Sequence, residues 1–503
     1  MLTSDRLQEQ KRGRDFAQWY LELGREYARD NMLDAAISAY RQAVKADPTF
    51  STAFVELGKI LVNSGLEDQG LEAYRRAVRS NPSDPNAVLH LGQELEKSGR
   101  LKEAIRVLRT AVELAPAHSV ARSALGIACY NAGDYDQAER ELREAIRLDP
   151  CHVTAHVGLG VIMCQRGEYR EAVDLFTKVL DLYPDNGVAL FNLGWAHIRL
   201  EDFDAAISTL KRASDVSPND HQVFNNLGFA YTGAGLLREA VKAFARAIRL
   251  SPYYAPAYIN LSCAWFKLGQ SSKALDVCNE VIAFQPECVQ AYYNKGMILF
   301  RTGNPDDAAT MFRKVISLRP DYVDAFVALG RAYLAMRQFD RARDAFGRTL
   351  ALKPDNTRIH LLLGSALEQL GRIHEAVQTY RAATRIRPDF SGAYYRLGLA
   401  LVRLRRLPDA IDAFEHVLRI HPHHVQARLK MGRLLTTLGL RERALKEYKL
   451  LADLDRDAAD ALFDMLYPEQ SVKSAKRKRH LLPAHALAGP GPAARAPSPA
   501  FHY

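Results

Sequence analysis

The chain has no uncharged apolar run approaching the roughly 18 residues that span a bilayer, although 48% of its residues are hydrophobic. Its apolar side chains are dispersed, as burial in a water-soluble fold requires. The opening residues, MLTSDRLQEQKRGRD, mix charges of both signs without an apolar core, so they do not read as a secretory signal. Cysteine is sparse. Cys129, Cys151, Cys164, Cys263, Cys278 and Cys288 form no CxxC pair and no disulfide-framework spacing, which points to reduced, semi-buried thiols in an intracellular protein. Motifs that cradle phosphate, activate a serine or hold zinc (GxxxxGKS/T, GxSxG, HExxH, and GxGxxG between strand and helix) are absent. The expectation is a non-enzyme with no cofactor and no metal. His416, His421, His423 and His424 cluster without a carboxylate or cysteine partner, and His156 falls on a packing stripe. The net charge is +10, but Lys473, Lys476, Arg477, Lys478, Arg479 and Arg495 against Glu469 supply half of it. The body is only mildly basic, and charge alone does not make it a nucleic-acid binder.

What the chain has is a period. Prolines recur every 34 residues from Pro48 to Pro422. Glycines keep the same step from Gly24 to Gly432, broken only by Ser262, and alanines do so from Ala36 to Ala444, with Gly70 as the exception. Three ladders in one register define thirteen repeats over residues 17–458. Each repeat shows two helical apolar stripes. In repeat seven these are Phe224, Leu227 and Tyr231, then Ala240, Phe244 and Ala247, at spacings that place each set on one helical face. The ladder glycine is expected where the two helices come close, with the alanine as its small partner. A second set of glycines, from Gly65 to Gly439, suits left-handed turns between the helices. The proline cannot continue the second helix and marks its exit.

These ladders resemble the tetratricopeptide repeat family. The resemblance implies an all-α fold: a right-handed superhelical α-solenoid of about thirteen helix-turn-helix repeats, with each first helix on the concave side. Single repeats cannot bury their own apolar faces, so stability comes from stacking. Residues 1–16 then form a lead segment. Residues 459–467 form a polar-faced capping helix through Leu462, Met465 and Leu466, and 468–503 a disordered Pro/Ala-rich basic tail.

On the open face of the first helices, Asn192, Asn226, Asn260 and Asn294 recur at the 34-residue step in the phrases FNLGWA, NNLGFA, INLSCA and YNKGMI. One turn on stand Trp195, Phe229, Cys263 and Met297; a further turn adds Arg199, Lys267 and Arg301. A carboxamide both donates and accepts, so such a row pairs with peptide backbone whatever the side chains are. The row resembles the asparagine ladder of the O-GlcNAc transferase family, and that likeness implies a peptide-binding role for these four residues. It stops there, because the residues after the cap are too few for a glycosyltransferase domain. Later repeats depart from the row with Ala328, Leu362, Arg396 and Lys430. There Arg331, Arg358, Arg396, Arg403, Lys430 and Arg433 form a candidate anion-binding set, accompanied by Asp324 and Glu368.

The sequence therefore reads as a protein-protein interaction scaffold or adaptor that holds a protein or an extended peptide in its groove. One alternative is polyanion binding (RNA, DNA or an acidic partner) through the C-terminal groove and tail. Another is a subunit that delivers substrates to a separately encoded transferase. The expected location is cytoplasmic, with nuclear import through the Lys476–Arg479 run as a variant of that reading.

Overall fold

The computed structural model describes residues 2–468. They form 27 α-helices and no strand. The described chain divides after Gln270 into two compact bodies. Within each body, consecutive helices pack as helix-turn-helix pairs, and each second helix also packs on the first helix of the following repeat. A representative repeat has a first helix Ser51–Asn63 and a second helix Glu67–Ser80. The second helices are strongly amphipathic: Leu237–Leu250 buries Ala240, Ala243, Phe244 and Ala247 and leaves its charged residues outside. Local chemistry sets the helix ends. Asp84, Asp134, Asn186, Asp202 and Asp220 cap first turns by accepting backbone N–H groups. His118, His152 and His424 do the same through Nδ1. The ladder proline follows the C-cap residue of the second helix, as Pro48 follows Asp47.

The glycine ladder works differently from the sequence expectation. The group that excludes a side chain is not the ladder alanine but a large side chain sixteen positions after the glycine. A Cβ on Gly228 would lie 2.6 Å from the Phe244 ring, and one on Gly58 would lie 2.6 Å from the Tyr74 ring. Leu108, Leu142 and Leu210 fill the same role opposite Gly92, Gly126 and Gly194. These rings and leucines are the heart of the core; Phe176, Phe244, Phe312, Phe346, Tyr380 and Phe414 are all fully buried. In the sequence, Ser262 takes the glycine slot in repeat eight, and Cys278 stands sixteen positions later, where most repeats have a ring or a leucine.

All thirteen turns between paired helices adopt positive φ. Nine use the expected glycines, and Asn31, Glu201, Arg337 and Arg405 fill the other four at φ between 57° and 60°. The two ends also depart from expectation. The first helix, Leu2–Arg29, runs straight through the lead segment. The capping helix starts at Arg456 rather than at residue 459, because Asp455 caps it by accepting from the Ala458 N–H. Fully buried Leu462 of this helix, not Tyr448 of the preceding one, lies against Gly432. The tail beyond Pro468, including the Lys476–Arg479 run, is outside the described residues.

A groove of about 730 Å³ lies between the second helices Phe339–Leu352 and Ile373–Ile386, around Gly347. In six other repeats that position holds arginine. Arg41, Arg109 and Arg143 each donate across to the next repeat, to Gln69, Gln137 and Glu171. Glu375, which occupies the partner position for Gly347, accepts instead from Arg372 at 2.6 Å. A Cβ on Gly347 would meet nothing within 4 Å. Gly347→Ala is therefore expected to stabilise this region by roughly 0.5–1 kcal/mol, the cost of an interior helical glycine. Slower amide exchange in Phe339–Leu352 would show it, and unchanged exchange would mean that the glycine carries no such cost here.

Candidate interaction face

The open face of the first helices is built from positions three and four residues apart, so the row residues project together on each helix. In the N-terminal body the three asparagines of the row are half-buried and differ from one another. Asn192 donates from Nδ2 to the Val188 carbonyl of its own helix, at 2.9 Å. Asn260 donates to Oδ1 of Asn225 at 3.0 Å. Asn225 is buried, and the asparagine doublet in NNLGFA was its sequence signal. Among the described residues, Asn226 makes no side-chain hydrogen bond. One turn on, the Phe229 ring is 47% exposed, and on the preceding repeat Val188 is 60% exposed. A half-buried carboxamide thus stands one turn from an exposed aromatic ring on one helix.

Two residues of the expected apolar and cationic rows serve the fold instead. The Arg199 guanidinium sits 4.9 Å from the ring centres of both Trp195 and Tyr169. It stands over the Trp195 indole, and its own charge is partly engaged by the rings. Trp195 also packs against the Ile198–Leu227 core. Exposed Lys267 has no ion pair among the described residues. Cys263 is exposed. Burial pushes the Cys129 and Cys164 thiols up to about 11, so both stay protonated at neutral pH.

In the C-terminal body Asn294 is buried, which corrects its place on an open row. Gln290, one turn earlier, donates to its Oδ1 at 2.9 Å, and the Tyr322 hydroxyl in turn donates to Gln290 at 3.4 Å. Beyond it a pocket of about 90 Å³ opens between the first helices Val289–Arg301 and Val323–Ala335. Its walls are Tyr293, Met297, Phe300, Val327 and Ala328, and its rim holds Arg301, Arg331 and Asp324. A related pocket of about 160 Å³ in the N-terminal body is lined by Leu108, Ala124 and Ile127. Ala124 and Ala328 both occupy the slot that carries asparagine in repeats six to nine. In each pocket that slot's alanine is one of the lining residues, a placement the sequence pattern alone did not carry.

The cations of the two bodies differ in how they are satisfied. In the N-terminal body Glu56 pairs with Arg25 at 3.7 Å and Lys59 at 3.3 Å, and Glu94 pairs with Lys97 at 3.9 Å. In the C-terminal body Arg403 reaches Glu368 at 3.9 Å. The side chains of Arg301, Arg331, Arg358, Arg396, Lys430 and Arg433 have no ion pair or hydrogen bond among the described residues. The histidine cluster is structural in part: His424 is an N-cap, and His416 stacks on Tyr394 with ring centres 4.6 Å apart. His156 is a buried core histidine that contacts the His152 carbonyl. Among the described residues no group of three or more His, Cys, Asp or Glu side chains is placed to hold a metal, and no helix is long and apolar enough to cross a membrane.

Family models described as tetratricopeptide repeat match residues 21–85, 55–119, 123–187 and 327–389, then 163–227 and 401–466, with single repeats at 289–322 and 221–254. No curated protein matches the chain. Solved structures match at low identity. The crystal structure of MamA is 23% identical, with 33% of this chain matched to 91% of that one at a TM-score of 0.31. YrrB, described as a tetratricopeptide protein with an unusual peptide-binding site, is 23% identical over 37% of this chain and 96% of its own, at a TM-score of 0.34. The Cut9-Hcn1 hetero-tetramer of the APC/C is 13% identical, with 83% of this chain matched to 96% of that one, at a TM-score of 0.37.

Proposed function

The chain belongs to the tetratricopeptide repeat family, and we propose that it is a protein-interaction scaffold that holds an extended segment of a partner protein along the open face of its first helices. The observation that carries this reading is Asn226 beside Phe229. The carboxamide has no hydrogen bond among the described residues, and the exposed ring lies one turn away. A backbone that runs past this helix finds a donor and an acceptor together with an apolar surface for a side chain. Asn260, held by Asn225, and Asn192 extend the amide surface to the neighbouring repeats. Asn294 is left out because Gln290 covers it.

The unpaired cations of the C-terminal body favour a second reading, in which the ligand is a polyanion. Salt separates the two readings. Partners would be captured from lysate by the intact protein and by a variant with Asn192, Asn226 and Asn260 changed to alanine, after its helicity and melting are matched. The scaffold reading expects specific proteins to disappear with the variant and to survive a moderate rise in salt. A partner set indifferent to the variant would defeat it. Loss of about 10³-fold or more between 50 and 200 mM salt, the behaviour of phosphate-dominated binding, would establish the polyanion instead.

A further inference from the structure

We propose that the pocket between Met297 and Ala328 is a recognition site for a partner segment in which one aliphatic side chain is followed directly by acidic residues. This rests on the scaffold reading above and names the chemistry that one part of the face selects.

The size of the pocket comes first. Its volume of about 90 Å³ exceeds the space that one water needs and falls below the roughly 150 Å³ apolar cavity known to admit benzene. It therefore fits the branched end of leucine, isoleucine or valine and rejects an indole. Its walls are apolar, from Met297, Phe300, Val327 and the Ala328 methyl. In repeats six to nine the slot of Ala328 carries a carboxamide that would close this space.

The charge of the rim identifies what lies next to that side chain. Arg301 ends one bordering helix and Arg331 stands on the other. Both are exposed and neither has an ion pair among the described residues. Asp324 lies seven residues before Arg331, about 10 Å away along the helix at 1.5 Å per residue. The rim thus has a basic end and one acidic group at a distance. An extended chain advances about 3.3–3.6 Å per residue, so a carboxylate one or two positions beyond the seated side chain reaches the guanidinium end. The related pocket beside Ala124 lacks this feature, because Lys97 is paired with Glu94 and Glu96 accepts from Asn131. The basic residues of this chain's own tail make it a poor occupant by like charge. A bare phosphate backbone has nothing to place in an apolar pocket.

The test uses fluorescence anisotropy with short labelled peptides of glycine and serine that carry Leu-Glu-Glu at the centre. Saturable binding to the intact protein is expected. Replacing the leucine by glutamine or tryptophan should weaken it about tenfold or more, and replacing both glutamates by glutamine about threefold or more. Ala328→Asn copies the residue of four other repeats, so it is expected to fold, and it should weaken the Leu-Glu-Glu peptide by a similar tenfold. Arg301→Gln with Arg331→Gln should remove the preference for glutamate while sparing that for leucine. No saturable binding of the Leu-Glu-Glu peptide, or equal binding by Ala328→Asn and the arginine variant, overturns the proposal. So does an oligothymidylate that competes with the peptide at the same site. The scaffold reading stands or falls separately on Asn192, Asn226 and Asn260, which lie in the other compact body.

Discussion

Changing Gly228 to serine together with Phe244 to cysteine is expected to destabilise repeat seven by less than the sum of the two single changes. Each change alone is costly, for opposite reasons. Serine at 228 places a Cβ 2.6 Å from a ring that is fully buried, an overpacking expected to cost about 1–3 kcal/mol. Cysteine at 244 leaves a hole where the ring was, at roughly 3 kcal/mol or more. In the double variant the hole receives the added atoms, so a coupling of about 1–3 kcal/mol in favour of the pair is expected. The Ser262 and Cys278 of repeat eight already show this combination sixteen residues apart in the natural sequence. Long repeat arrays do not unfold in one step, so the measurement is the opening free energy of repeat-seven amides by hydrogen exchange. Additivity within about 0.5 kcal/mol would mean that the ring does not dictate the glycine.

Leu462→Ala should have the second large effect. This side chain is fully buried in the last helix and lies against Gly432. It belongs to the last described helix and shares a core cluster with Met431, Leu434 and Leu435. Truncation of a buried leucine costs about 2–5 kcal/mol. In an array of nearest-neighbour contacts the loss is local. Exchange should rise in Val425–Thr437, Arg441–Leu454 and Arg456–Leu466 while Leu33–Ala46 keeps its protection. A uniform rise across the chain would contradict that picture.

The period was legible because stacking repeats one solution thirteen times, and each departure from it is a departure in one residue. What the sequence hid is what depends on neighbours a full repeat away. Gln290 is a local partner of Asn294, but nothing local shows that Tyr322 of the next repeat donates to Gln290. Nothing local to Asn260 shows that its donor is spent on Asn225. Ala328 reads as the end of a row, and only the helix beside it turns the missing carboxamide into a pocket. Arg199 reads as a free cation until the rings of Tyr169 and Trp195 are found around it. Glu201, Arg337 and Arg405 were missed as left-handed turn residues because the flanking helices, rather than the residue, impose that conformation.

Those turns also make the molecule its own control. One backbone conformation occurs thirteen times, nine times with glycine and four times with a side chain at φ of 57–60°. Every copy shares one solvent, one temperature and closely similar flanking helices. Left-handed backbone costs an ordinary side chain about 1–2 kcal/mol, a quantity usually obtained by comparing separate proteins. Here asparagine, glutamate and two arginines can be read against nine glycines in a single spectrum, so a steric rule becomes an observable within one chain.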